Sequence, residues 1–224
     1  MKKIFLIIAM LIFCVPNISE AELYNVQFSP SQSAGVEWNI LGSSSGLEAI
    51  TTASGQSIGA LIEWTGSGLM SSDNGFSTPK NSLNVLMGNY LYGFGTHDII
   101  FSNLTKSSEY SLQIYSQGAW DSSGRQIAIN VNGDSKVSLS MNPSASSLIQ
   151  GENILTFIGN TGSEGIVKIT YNGVGSGGGG GVGSEADING LRLQIASAPE
   201  PKTYLLLSIG LLFFGVMYRK RILE

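Results

Sequence analysis

Few residues of this chain could carry chemistry. His97 is its only histidine, and Cys14, its only cysteine, lies in an apolar N-terminal run. We therefore do not expect a histidine-rich metal site, a thiol nucleophile or a structural zinc site. His97 and Asp98 could orient a serine nucleophile, but no Gly-x-Ser-x-Gly elbow accompanies them. We expect His97 to lie at the surface or at a strand end.

Carboxylates of the kind used in glycoside hydrolysis are available, but no spacing in the sequence pairs them. They are Glu37, Glu48, Glu63, Asp98 and Asp121. Aspartate, asparagine and backbone oxygens could also hold calcium, although no EF-hand spacing indicates which residues would do so. We predict that the chain is not an enzyme and needs no cofactor, with structural calcium left open and polysaccharide hydrolysis kept as an alternative.

The three tryptophans differ in their surroundings. Trp38 and Trp64 lie in apolar, strand-like segments, which is typical of core residues. Trp120 lies among small and polar residues in what resembles a loop, where an exposed indole could stack on a sugar ring. If the protein binds glycan, we expect Trp120 to make the contact, with Tyr115 and Asp121 nearby.

The segments that must position these residues have the pattern of short strands. Several segments alternate apolar with polar residues, the period of a strand buried on one face. Turn residues separate them, including Asn132-Gly133-Asp134, residues 159–162 and Asn172-Gly173. Residues 67–79 and the glycine-rich 174–183 are predicted loops. The pattern predicts an all-β, antiparallel β-sandwich of the jelly-roll type, with strands at 24–28, 47–50, 58–64, 110–115, 127–131, 154–158, 166–171 and 188–195.

The N-terminus has the pattern of a secretory signal peptide. Lys2 and Lys3 precede the uncharged apolar run 4–15, which is too short to span a bilayer comfortably. Ser19 and Ala21 place small residues three and one before a cut, so we predict cleavage after Ala21. Cys14 also suits a lipoprotein signal, but the large residue before it does not.

The C-terminus has the pattern of a single membrane helix. Residues 204–218 are uncharged and largely apolar, and Arg219, Lys220 and Arg221 follow them as a basic stop-transfer cluster. The stretch would form a helix of about 22 Å, a marginal span of the bilayer, and a buried core helix is the alternative. Basic residues on the outer side of both apolar runs place both ends in the cytoplasm and the middle of the chain outside.

Directly before the second apolar run stand Pro199, Glu200 and Pro201. Together with the apolar run and the basic end, they resemble the PEP-CTERM sorting signal of Gram-negative bacteria that make extracellular polysaccharide. The resemblance covers Pro199 to Arg221 and departs from the pattern modestly, in Lys220 and in three residues after the cluster. It implies cleavage at the motif by an exosortase, followed by release or transfer to the cell surface. A GPI signal is the rival, but it should not end in a basic cluster.

A second resemblance lies within the middle of the chain. Segments 101–104, 110–116, 129–133 and 187–193 are similar to galactose-binding-like jelly rolls of exported proteins. This similarity covers roughly the second half of the predicted domain. It implies a β-sandwich, and it makes a carbohydrate-binding role an expectation to test.

These patterns divide the chain into a signal peptide at 1–21, a β-sandwich domain at 22–198 and a sorting signal at 199–224. The sorting signal comprises the motif 199–203, the membrane segment 204–218 and the basic tail 219–221. The domain carries six Lys and Arg against thirteen Asp and Glu, a net charge of −7 that makes nucleic acid an unexpected partner.

We predict a non-catalytic surface or extracellular-matrix protein, associated with exopolysaccharide or biofilm. Signal peptidase and an exosortase would process it, and it would be held in the inner membrane before that processing. A lectin-like module and a secreted glycan hydrolase are the alternatives.

Overall fold

The computed structural model describes residues 21–30, 35–71, 82–117, 126–137, 147–174, 185–196 and 210. Contacts divide the chain into two compact units, Ala21–Ala196 and the two ends, 1–20 with 197–224. Of the second unit only Gly210, in helical conformation, is described. The predicted signal run, Pro199-Glu200-Pro201, the basic cluster Arg219-Lys220-Arg221 and the rest of 204–218 therefore lie outside the described residues. No helix in the described part combines the length and apolar character that a membrane crossing needs.

The strand alternation in the sequence is realised in three sheets, which confirms the predicted all-β sandwich. In the last strand, Leu191, Leu193 and Ile195 are buried while Arg192 and Gln194 are exposed. The described residues form fourteen strands and one short helix. They are β1 (Glu22–Phe28), β2 (Trp38–Leu41), β3 (Gly46–Ala49), β4 (Leu61–Trp64), β5 (Gly68–Ser71), α1 (Ser82–Met87), β6 (Asn89–Phe94), β7 (His97–Ser102), β8 (Glu109–Tyr115), β9 (Gln126–Val131), β10 (Asp134–Val137), β11 (Ile154–Asn160), β12 (Val167–Val174), β13 (Glu185–Ile188) and β14 (Gly190–Ile195).

Two of the sheets enclose the core. The five-stranded sheet has the order β11-β8-β14-β1-β2, and the six-stranded sheet has the order β10-β9-β12-β7-β4-β3. Neighbours are antiparallel except β1 and β2, which run parallel. One cluster of buried side chains from both sheets fills the space between them, and the rings of Phe28 in β1 and Trp64 in β4 meet at 6.5 Å. Burying each such large apolar side chain stabilises the fold by roughly 1.5–3 kcal/mol.

A third sheet, with the order β13-β6-β5, connects to the five-stranded sheet through a single residue. The chain leaves β13 at Ile188, passes Asn189 and enters β14 at Gly190. At the crossing, the Asn189 N–H donates to the Tyr115 carbonyl at 2.9 Å, and the Asn189 carbonyl accepts from the Phe28 N–H at 3.1 Å. The backbone of Asn189 thus stays bonded on both sides while the chain changes sheets.

The Asn189 side chain ties three further segments to this crossing. It is fully buried, and its Nδ2 donates to the carbonyls of Met87 and Asn89, each at 2.9 Å. Its Oδ1 accepts from the Gln117 N–H at 2.5 Å. The end of α1, the start of β6 and the segment after β8 are therefore held by one amide group.

One edge of the sandwich is closed by Lys136 in β10. Its Nζ donates to the Thr156 carbonyl in β11, lies 4.5 Å from the centre of the Phe157 ring and is 3.7 Å from Asp134 Oδ2. Because β10 and β11 are edge strands of opposite sheets, this side chain spans the gap between them. A lysine at such a position also discourages pairing with another chain.

Several local predictions need correction. The hairpin at Asn132-Gly133 is confirmed, since both residues have the positive φ, 48° and 98°, that its two-residue turn requires. The predicted turn at Asn172-Gly173 is wrong, because both residues continue β12 and pair with β9. The predicted loop 67–79 is wrong at Gly68–Ser71, which forms β5. There the missing Cβ of Gly68 leaves room for the Tyr92 ring. Helix α1 and strands β2, β6, β7 and β10 were not predicted.

We expect Asn189→Ala to lower the free energy of unfolding by about 3–5 kcal/mol. The substitution leaves one buried N–H and two buried carbonyls without their partner, at roughly 1–3 kcal/mol each for groups that stay unsatisfied. Urea unfolding of the full-length chain measures the loss. Asn160→Ala is the control, because its exposed Oδ1 accepts one bond, from the Gly162 N–H, and should cost at most about 1 kcal/mol. Equal losses in the two variants would contradict the assigned role of Asn189.

Candidate functional site

A row of side chains crosses the outer face of the five-stranded sheet, with one residue on each strand. Trp38 pairs with Asn25, Asn25 with Arg192, Arg192 with Gln113, and Gln113 with Thr156. Directly paired residues point to the same face, and the chain neighbours of Asn25 are core residues, so this row faces outward. With strands about 4.8 Å apart, the row is roughly 19 Å long. We call these five residues the sheet platform.

Trp38 lies flat enough to reach across two strands. Its ring meets Tyr115 edge to face, with centroids 6.2 Å apart, and a Cβ on Gly190 would come within 3.3 Å of it. The same added Cβ would lie 2.7 Å from Leu86 Cδ1 of α1. Gly190 therefore makes room for both side chains. Trp38 packs against the cluster of Leu86, Met87 and Tyr115 and is partly exposed. The prediction that Trp38 is a core residue is thus correct for only part of its ring.

Polar groups lie beside the indole. The Tyr115 hydroxyl donates to Gln113 Oε1 at 3.2 Å. Burial raises the pKa of Tyr115, and the charge and hydrogen bond of Arg192 offset part of that increase. Arg192 itself is exposed, while the neighbouring Asn25 is buried and its Oδ1 has no hydrogen-bond partner among the described residues. Donors and acceptors thus adjoin an aromatic surface, as in sites that bind sugars.

The structure describes only part of the glycan site predicted from the sequence. Tyr115 is 6% exposed, so its ring offers little surface on which a sugar could stack. Trp120 and Asp121 lie outside the described residues. Sequence reasoning missed Trp38 as a surface residue. Residues 38–41 do not alternate apolar with polar residues. The sequence alone therefore does not show whether Trp38 faces the core or the outer surface of the sheet.

The structure describes both residues of the predicted cleavage bond, Ala21 and Glu22. Ala21 is exposed and has no regular secondary structure, and β1 begins at the next residue, Glu22. Cleavage after Ala21 would leave the whole of β1 in the mature chain. The cleavage itself stays a prediction.

His97 and Asp98 do not form the pair that a triad needs. His97 is the first residue of β7, as the strand-end prediction had it, and its Nε2 lies 3.1 Å from the Phe94 carbonyl. Asp98, the next residue of the strand, points to the opposite face. There its Oδ1 accepts from Thr170 Oγ1 at 2.6 Å and its Oδ2 lies 2.9 Å from Lys168 Nζ.

The other carboxylates named from the sequence are dispersed. Glu48 stands opposite the core residue Ile62 in the β3–β4 pair, whereas Glu63, the neighbour of Ile62, points to the other face. Glu37 lies in an exposed turn, and Asp121 lies outside the described residues. Within the described ranges, no three His, Cys, Asp or Glu residues are grouped so that they could hold a metal ion.

No family model matches the chain, and no curated protein matches it. Among solved structures, an exo-beta-1,3-galactanase from Phanerochaete chrysosporium with galactose is 17% identical over 56% of this chain and 25% of its own, with a TM-score of 0.30. The ANXUR1 extracellular domain from Arabidopsis thaliana is 10% identical over 62% of this chain and 50% of its own, at 0.41. TmCBM61 in complex with beta-1,4-galactotriose is 14% identical over 59% of this chain and 86% of its own, at 0.32.

The chain thus spans about a quarter of the galactanase and about half of the ANXUR1 domain. At sequence identities this low, the similarity supports a shared fold and nothing more. The TM-scores are too low for any residue role to be carried over to this chain.

We expect Asp98→Asn to lower stability at neutral pH and to have no effect in acid. Partial burial raises the pKa of Asp98, but hydrogen bonds from Thr170 and Lys168 and the Lys168 charge outweigh it and hold the pKa below its usual value. A lowered folded-state pKa adds stability above the unfolded-state pKa of about 4, and this stability is lost as the pH falls through the folded value. Because the pair is partly exposed, the loss should be only about 0.5 kcal/mol at pH 7. Urea unfolding at pH 7 and pH 2.5 measures it; an equal difference at both would contradict the prediction.

Proposed function

We propose that this chain is an exported, non-catalytic surface or extracellular-matrix protein whose β-sandwich binds extracellular glycan through the sheet platform. The observation that carries the glycan proposal is the partly exposed Trp38 in one row with outward-facing polar residues. The signal-like N-terminus and the PEP-CTERM-like C-terminus support export and sorting. Signal peptidase and an exosortase are the processing partners, and the inner membrane holds the precursor.

Sugar rings bring two surfaces to such a site. Their C–H faces stack on aromatic rings, and their hydroxyls exchange hydrogen bonds with side chains such as Gln113, Arg192 and Thr156. Aromatic contacts contribute about 0.5–1.5 kcal/mol beyond burial, and each hydrogen bond contributes about as much. A few contacts of this size give a dissociation constant near the millimolar range for one sugar. The row is longer than a single sugar ring, so we infer that the ligand is a polymer that engages several positions.

We expect Trp38→Ala to weaken binding to whichever polysaccharide the full-length chain binds by at least tenfold. Loss of the indole removes the stacking surface without altering the polar row. Affinity gel electrophoresis against soluble neutral and acidic polysaccharides measures the change. Trp38→Phe keeps a ring at the position and should retain most of the binding, and thermal melts show whether each variant is folded.

The matched control is Phe94→Ala, because Phe94 is a 48% exposed aromatic residue on β6, outside the five-stranded sheet. It should bind as the unaltered chain does. Trp120→Ala in the same assay tests the loop position predicted from the sequence. Full retention in Trp38→Ala, or binding to none of the polysaccharides, would contradict the glycan proposal.

Processing is tested on the mature protein isolated from the cell surface or medium. We expect N-terminal sequencing to begin at Glu22 and C-terminal mass spectrometry to end within or next to Pro199-Glu200-Pro201. Two prolines keep this motif extended, which suits a protease cleft. A mature chain that still carries residues 204–218 would contradict exosortase processing, and an uncleaved N-terminus would contradict the signal peptide.

A further inference from the structure

We propose that the sheet platform selects acidic polysaccharides and that Arg192 recognises their carboxylate or sulfate groups. The inference rests on the proposed glycan-binding function and adds a ligand class to it. Three observations carry the argument. The cross-strand neighbours of Arg192 are neutral, it lies in the same row as Trp38, and no carboxylate among the described residues forms an ion pair with it.

Arg192 is an exposed cation in a domain of net charge −7. The lysines Lys136 and Lys168 face Asp134 and Asp98 at 3.7 and 2.9 Å. Arg192 instead pairs across the sheet with Asn25 on one side and Gln113 on the other, and no described carboxylate forms an ion pair with it. An exposed arginine held between two amides keeps its charge available for an anion from solution.

Tyr115 lies near both Arg192 and Trp38. The Trp38 ring meets the Tyr115 ring at 6.2 Å between centroids, and the Arg192 charge offsets part of the increase that burial causes in the pKa of Tyr115. A sugar stacked on Trp38 would therefore place its ring substituents within reach of Arg192. The planar guanidinium of an arginine carries five N–H donors, enough for two-point binding of a carboxylate or sulfate.

Two described carboxylates lie near the platform: Glu37, which precedes Trp38 in an exposed turn, and Glu109 on β8. The described carboxylate on the outer face of β8 is Glu109, at the opposite end of the strand from Tyr115 and four residues before Gln113. That separation is roughly 13 Å along the strand, beyond the Debye length of about 8 Å at physiological salt. At such salt the other acidic groups of the domain are largely screened, while a direct contact with Arg192 is not.

The experiment compares polysaccharides that differ only in charge. Polygalacturonate and its methyl ester carry the same backbone with and without carboxylates, and dextran sulfate and dextran do the same for sulfate. Affinity electrophoresis of the full-length chain at 0.15 M salt should show at least fivefold tighter binding to an acidic member than to its neutral counterpart. The pair that shows the preference identifies whether carboxylate or sulfate is the recognised group.

Arg192→Gln should abolish this preference, because binding to the acidic member should fall to the level of the neutral member. Arg192→Lys, which keeps the charge but loses the planar fork, should retain part of the preference. The control is Lys168→Gln, which removes one positive charge from the outer face of the six-stranded sheet and should leave the preference unchanged. Trp38→Ala should weaken binding to both members of a pair.

The outcomes separate the two proposals. The chain could bind both members of each pair equally, and Trp38→Ala could lose that binding. This result would overturn the acidic-ligand inference but would still support glycan binding. A preference that survives in Arg192→Gln, or that disappears equally in Lys168→Gln, would also overturn the inference. Binding to none of the four polysaccharides would overturn both.

Discussion

The buried side chain of Asn189 is the constraint on which the rest of the domain depends. A chain that passes from one sheet to another must leave its ladder partners, and at a buried position water cannot replace them. Asn189 supplies the missing partners itself, since its amide bonds the end of α1, the start of β6 and the segment after β8. The three-stranded sheet, the helix and the five-stranded sheet are thereby held in one arrangement.

The sheet platform follows from that arrangement. With α1 fixed by its last carbonyl, Leu86 is placed over Gly190, where the absence of a Cβ leaves the space that Leu86 and Trp38 share. Tyr115, whose carbonyl also bonds Asn189, forms the other wall for the indole. Trp38 is therefore oriented by residues whose positions are set at the crossing, so a structural bond and the proposed binding surface share the same neighbours.

Sequence patterns predicted most of the strands because alternation is local, and the eight segments predicted as strands all contain or overlap observed ones. Features that depend on distant partners escaped prediction. The four residues of β2 carry no alternation, and the outward position of Trp38 depends on parallel pairing with β1. Asn172-Gly173 has turn residues but extends β12, because pairing with β9 overrides local preference. Arg192 has the pattern of any outward strand residue, and only its row neighbours distinguish it.

The pairing of the first strand with the last one fixes when the domain can be completed. β14 lies between β1 and β8, and Glu22 of β1 stands opposite Ile195 of β14. The five-stranded sheet cannot assemble until almost the entire domain sequence is available, and contacts of such long range make folding slow. Synthesis from the N-terminus therefore leaves β1 without β14 for most of the time that the polypeptide is being made. The two outer pairs of this sheet, β11 with β8 and β1 with β2, can join into one sheet only when the last strand of the domain arrives between them.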